Sequence, residues 1–368
     1  MKQGRVRKVF PGGNTAYGFY SFYDQVIGPE ARRIFILKGG PGVGKSTFLR
    51  ILGEDLLARG YDVEFLCCSS DNGSLDGVLI PALGVALMDG TAPHVIDPRW
   101  PGAVDEIIYL GDYWDEAGLR SHREAIVKLG RTIAQFFASA YRYLAQAKLL
   151  QEESESYYTA SGALPPSALH RAERELTEGV FQGRNHHGSA SSRHLFASAI
   201  TPDGCVHHFA TVFGASTQRF IIRGGSKAAR SRLVERVYHE ALNRGYAVEA
   251  FHCGLVPDYL EHLFLPDLGV AVITTHEYHR FPPQPADRLI DLDCLVEWQA
   301  LAPYQEDLNE AQRRFAAALD PAVAFIRRAK KAHDEMESYY IPNMDFEGIN
   351  ARRRQTLERI LAYAREDG

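Results

Sequence analysis

No apolar stretch in this chain is long enough to cross a membrane as a helix: the longest, VLIPALGVALM, is short and broken by Pro81. The amino-terminal MKQGRVRKVFPGG lacks the apolar core of a secretion signal, so no membrane partner is expected and the expected location is cytoplasmic. Cysteine is sparse. Cys67, Cys68, Cys205, Cys253 and Cys294 form an odd set without a C-x-x-C pair, which points away from a disulfide framework or zinc knuckle and toward buried free thiols. A strong charge of one sign is also missing. The net charge of −5 argues against broad polyanion binding, and no nucleic-acid partner is indicated. Two basic runs, RRAKK (Arg327 to Lys331) and RRR (Arg352 to Arg354), fall in helix-like sequence and are expected to be solvated faces.

What is present is a globular composition, 45% hydrophobic and 24% charged, over 368 residues, enough for about two ordinary domains. The chain also repeats itself. A shift of 185 positions aligns FILKGGPGVGKSTFLRILGEDLLARGYDVEFLCCSS with FIIRGGSKAARSRLVERVYHEALNRGYAVEAFHCGL without a gap. Identities include Gly39/Gly224, Gly40/Gly225, Ser46/Ser231, Gly60/Gly245, Cys68/Cys253, Pro81/Pro266 and His94/His279. At a shift of 182, AKLLQEESESYY (Ala147 to Tyr158) matches AKKAHDEMESYY (Ala329 to Tyr340). The expected organisation is therefore one unit over residues 1–183 and a second over 184–368. Gly183 to Arg193 reads as the junction, and its His186 and His187 are a weak metal-binding signal.

Each copy runs strand, glycine loop, helix, strand, then further strands and long helices. Arg33 to Leu37 is a buried-strand run; Phe48, Ile51, Leu52, Asp55 and Leu56 recur at helical spacing; Gly60 stands where that helix should stop. DVEFLCC and GVALMD supply two more strands. The expected fold class is α/β, a parallel sheet covered by helices in each copy. Tyr17 to Tyr23 suggests a core-facing hairpin, with base stacking as the alternative. Leu129, Ile133, Phe136, Ala140, Tyr143, Ala147 and Leu150 form one apolar stripe on a long helix, and Ala311 to Ala332 repeats it. Such helices pack on their own domain or on each other, or else bind a protein partner or a second copy of the chain.

The segment GGPGVGKST satisfies G-x-x-x-x-G-K-[ST], and it follows a predicted strand and opens a predicted helix, as that phosphate-binding motif requires. Gly39, Gly40, Pro41, Gly42, Val43 and Gly44 would wrap a polyphosphate with backbone N–H groups at a helix amino terminus. Lys45 would reach the β- and γ-phosphates, Ser46 would ligate Mg2+, and Thr47 would bond the α-phosphate. Asp89, ending GVALMD, is the candidate magnesium carboxylate, a Walker B residue; an ordinary strand-end Asp is the alternative. Asp71 is a candidate to orient water or accept a proton, or else is a turn residue in SSDNGS; Asp76 is a weaker candidate. ATP is favoured over GTP because no N-K-x-D guanine-reading element occurs.

The second copy keeps the scaffold and changes the chemistry. Gly44, Lys45, Thr47, Asp71 and Asp89 become Ala229, Arg230, Arg232, Val256 and Thr274. Joint loss of the two carboxylates groups Lys45, Asp71 and Asp89 as one site. Arg230 and Arg232 have an alternative use as cations facing a nucleotide held by the first copy.

Taken together, FPGGNTAYGFYSFYD, GGPGVGKST, CCSSDNGSLDGVLIP, DGTAPH and the repeated ESYY resemble a little-characterised bacterial family of tandem P-loop ATPase-like proteins. The resemblance covers nearly the whole chain and implies two tandem P-loop NTPase-like domains and nucleotide binding, with no substrate attached. Members often carry a more complete second loop than GGSKAARSR. Three functions suit the sequence: an ATPase with a degenerate second domain, a small-molecule or nucleotide kinase with Asp71 as base, and a nucleotide-dependent protein-binding module. Gly90 after Asp89, where motor-type ATPases place a Glu, stands against a motor.

Overall fold

The structure is a computed structural model that describes residues 3–28, 30–93, 95–186 and 188–366. The first half contributes β1 (Val6–Val9), β2 (Gly12–Thr15), β3 (Gly18–Ser21), β4 (Arg33–Lys38), α1 (Lys45–Ala58), β5 (Val63–Cys67), β6 (Leu75–Ile80), β7 (Val85–Asp89), β8 (Asp105–Tyr109), α2 (Glu116–Ser121), α3 (Arg123–Ser161) and α4 (Pro166–Phe181). The second contributes β9 (Ser191–Leu195), β10 (Ser198–Thr201), β11 (Gly204–His207), α5 (Phe209–Val212), β12 (Gln218–Arg223), α6 (Lys227–Asn243), β13 (Ala247–His252), β14 (Leu260–Leu265), β15 (Val270–Thr275), β16 (Arg288–Asp291), α7 (Trp298–Leu301), α8 (Gln305–Tyr340) and α9 (Phe346–Glu366). No described helix is long and apolar enough to cross a membrane.

Both copies build a six-stranded sheet with the same order, β1-β5-β6-β7-β4-β8 and β9-β13-β14-β15-β12-β16. The sheets are mixed, which corrects the all-parallel expectation. β6 runs antiparallel to β5 and β7, and β14 does so between β13 and β15. Leu75 to Ile80 is buried on both faces, so it lacks the alternation that marks a half-exposed strand. The aromatic segment is the β2–β3 hairpin followed by the buried Phe22 and Tyr23, while Tyr17 at the turn is exposed and bonds Asp258. Cys67, Cys68 and Cys253 are buried, but Cys205 and Cys294 are exposed.

The long helices exchange between the halves. α3 and α8 pack antiparallel, bringing Phe136 and Tyr143 onto Phe325 and Tyr157 onto Tyr304, so the apolar stripes are used within the chain. Beyond this crossing, α4 from the first half packs on α6 and the second sheet through Leu169, Leu176 and Phe181. Reciprocally, α9 from the second half lays Ile349, Leu357 and Ile360 into the core of the first sheet beside Phe48, Leu52 and Leu56 of α1. The sequence halves 1–183 and 184–368 are therefore not two separate bodies, since each sheet takes its outer helix from the other half.

The sheets also meet directly. Phe10 and Phe196 exchange backbone hydrogen bonds of 3.0 Å, and buried Asn14 donates to the carbonyls of Ser69 and Ile200. A charge cluster around the buried Glu64 lies at the same junction: Arg7 bonds Glu249 at 2.7 Å and sits 3.2 Å from Glu64, while Arg193 pairs with both carboxylates.

Candidate functional site

β4 delivers the chain to Gly39, and α1 begins at Lys45. Between them the backbone turns through Gly42 at φ 68° and Gly44 at φ 85°, a left-handed region that residues with a Cβ avoid. Val43 is wholly buried and pins the arc to the core; Gly39 fits because a Cβ there would stand 2.8 Å from the Val43 side chain. Lys45 Nζ folds onto this arc, donating to the carbonyls of Gly39 at 3.0 Å and Gly40 at 2.7 Å. Asp89 sits opposite Leu37 in the β4–β7 register, and its Oδ2 lies 3.7 Å from Lys45 Nζ. Asp89 Oδ1 accepts from Thr91 N at 2.8 Å, which fixes the carboxylate. Ser46 Oγ accepts from Leu75 N at 2.9 Å, and Thr47 is exposed.

Lys45, Ser46 and Asp89 are thus brought together at one sheet edge. Asp71 is not joined to them by any described contact: it caps Gly73 N at 3.0 Å in a turn and its other oxygen is 3.4 Å from Lys330 Nζ on α8. That is the turn role, with a cation beside it. Asp76 is buried and accepts from Tyr23 Oη at 2.7 Å.

The end of α8 closes over the arc, which sequence reasoning missed. Glu337 Oε1 accepts from Gly42 N at 3.1 Å, the Tyr340 ring lies where a Cβ on Gly40 would be (2.7 Å), and Phe346 faces Gly44. At the other loop the relation is repeated in reverse: Glu155 of α3 accepts from Lys227 N at 2.6 Å and Ala228 N at 3.3 Å. The repeated ESYY is therefore the segment with which each half covers the loop of the other.

The second loop has a different path. α6 starts at Lys227, the counterpart of Gly42, with Ser226 as its cap, so the arc found in the first copy is already helix. Arg230 donates to the carbonyls of Gly224 at 2.9 Å and Gly225 at 3.0 Å, as Lys45 does in its own loop. Arg230 is thus occupied within its own loop and Arg232 by Glu173 of α4, which goes against the alternative that they face the first copy's site. The basic runs are also engaged: Arg328 lies over Phe136 and Phe325, Arg352 pairs with Glu106 and Arg353 with Asp55. His186 stacks on Tyr246, while His187 and His94 lie outside the described residues.

A cavity of about 410 Å³ adjoins the second loop, lined by Lys227, Arg230, Glu261, His276, His279 and Cys253 among others. Burial pushes His279 well below the ordinary imidazole range and His262 behind it down to about 4, so both rings are neutral at neutral pH. Lys227 Nζ bonds Cys253 Sγ at 2.6 Å on the same wall. Comparing the copies for residues gained, and not only for residues lost, would have found this cluster: His262 and His276 stand where the first copy has Gly77 and Thr91.

Comparison with protein-family models, with curated proteins and with solved structures gives no match to this chain.

Proposed function

We propose that the first unit is an ATP-binding P-loop NTPase that hydrolyses ATP with Mg2+, and that the second is a degenerate copy serving as its structural and regulatory partner. One observation carries this reading: the Gly39–Gly44 arc has left-handed glycines, opens α1, and has Lys45 folded onto it with Asp89 at 3.7 Å. Its fit to an anion has support within the chain, because Gly42 N–H already donates to the Glu337 carboxylate. The arc's N–H groups and Lys45 would hold the phosphates, and Ser46 and Asp89 the magnesium. Magnesium would neutralise charge on the phosphate oxygens. Lys45 would do the same from the protein side once its ammonium exchanges the Gly39 and Gly40 carbonyls for phosphate. Tyr340 and Phe346, packed over the loop, would limit water there.

Calorimetric titration of the full chain with a non-hydrolysable ATP analogue and Mg2+ tests the reading. One site per chain is expected, with Lys45→Ala abolishing tight binding and Arg230→Ala leaving it within a few fold. Two sites, or equal losses in both variants, would overturn the asymmetry. Phosphate release measured with and without hydroxyl acceptors separates hydrolysis from a kinase reaction.

A further inference from the structure

Glu261 of β14 is a buried carboxylate whose Oε2 has no hydrogen-bond partner among the described residues, and the Nε2 atoms of His262 and His279 are in the same condition. Buried polar atoms without partners are rare and costly, and those of Glu261 and His262 face each other. Glu261 Oε2 lies 3.8 Å from His262 Nε2 and 3.8 Å from His279 Nδ1, and Oε1 lies 3.7 Å from His276 Nε2. Each separation is too long for a hydrogen bond. They are close to the edge of about 3.4 Å expected between tetrahedral ligands whose bonds to a metal are about 2.1 Å.

The backbone explains the convergence. His276 and His279 are bridged partners across the tight turn after β15, each accepting from the other's N–H (3.4 and 3.2 Å), with ring centroids 3.7 Å apart. β14 pairs with β15, which brings Glu261 beside them. His262 has a different role. Its Nδ1 accepts from Thr274 N at 3.1 Å, so its proton lies on Nε2, aimed at Glu261, and it does not line the cavity as the other three residues do.

We propose that Glu261, His276 and His279 form a site for a divalent transition-metal ion, with the Nε2–H of His262 turned toward Glu261 from behind and the open coordination positions facing the cavity. Glu261 and His279 belong with His262 to a group whose ligand atoms lie within 4.8 Å of one another, and His276 joins it through its 3.7 Å approach to Glu261. Two imidazoles and one carboxylate suit zinc, iron, cobalt, nickel or manganese and not magnesium, which prefers oxygen. Binding through His276 Nε2 releases the 3.3 Å contact that its Nδ1 receives from Tyr278 N. The cations Lys227 and Arg230 on the cavity wall oppose a bare dication and favour an anionic co-ligand on its open face. The site is independent of the nucleotide reading, since none of its residues touches the first loop.

The test uses the full chain, stripped by a chelator and titrated with Co2+. One equivalent per chain is expected, with visible ligand-field absorption that Zn2+ displaces. His276→Ala with His279→Ala should weaken this at least about 100-fold, and Lys45→Ala should leave it unchanged. Absence of the absorption in the unsubstituted chain, its persistence in the double variant, or its loss in Lys45→Ala would overturn the proposal. X-ray absorption of the cobalt-loaded unsubstituted chain gives a check that needs no variant to fold: imidazole scattering supports the site, and an all-oxygen shell sinks it.

Discussion

Gly42 and Gly44 hold φ angles of 68° and 85°, whereas their counterparts Lys227 and Ala229 are helical. A residue with a Cβ in the left-handed region costs roughly 1–2 kcal/mol. Gly44→Ala is therefore expected to strain the arc and lower nucleotide affinity by about five- to thirtyfold, as read by calorimetry. The reverse change, Ala229→Gly, is expected to create no site, because the second loop has lost the arc two residues before position 229. The sequence made the altered side chains legible, Ala229 and Arg230 above all. It did not show that the helix starts three residues earlier, because a start set by the Ser226 cap competes with the glycine pattern only through backbone geometry.

Among the elements, α8 has the most direct hold on the first loop. Glu337 takes an N–H that a phosphate would need, so a nucleotide held as proposed would have to displace the carboxylate. Glu337→Gln removes the competing charge and is expected to raise nucleotide affinity by roughly tenfold, equal to about 1.4 kcal/mol. Glu155→Gln, acting on the other loop, should leave that affinity unchanged; unaltered binding in both would show that Glu337 does not compete. The apolar stripes of α3 and α8 were legible in the sequence, as were β4, α1 and the β2–β3 hairpin. Which sheet each long helix reaches was not legible, because a duplicated unit presents the same apolar faces to its own sheet and to its twin's. β6 escaped for a different reason: burial on both faces removes its alternation.

For the whole molecule, the junction of the sheets rests in part on charge. Burial opposes the Glu64 carboxylate, but Arg193 and Arg7 more than offset this and hold its proton affinity below the ordinary carboxylate range. A carboxylate lowered in the folded state adds stability above its unfolded value, and that stability is lost as pH falls through the folded one. Glu64→Gln leaves the partly exposed Arg7 and Arg193 sharing the one carboxylate of Glu249, and is expected to lower stability at neutral pH by less than the ~3–5 kcal/mol of a fully buried pair. Melting curves of the two proteins should differ most near pH 7 and converge as pH falls below the ordinary carboxylate range. A constant gap down to the lowest pH would remove Glu64 from the acid response.

The exchange of α4 and α9 has a consequence for how the protein is made. A ribosome delivers the first sheet early, yet the helix that fills its core beside α1 is the last described element of the chain. Nascent β4, α1 and β7 must wait, with Phe48, Leu52 and Leu56 lacking their cover, until more than two hundred later residues have emerged. The intact loop is thus completed last, and a chain cut short anywhere before α9 cannot present it in its finished form.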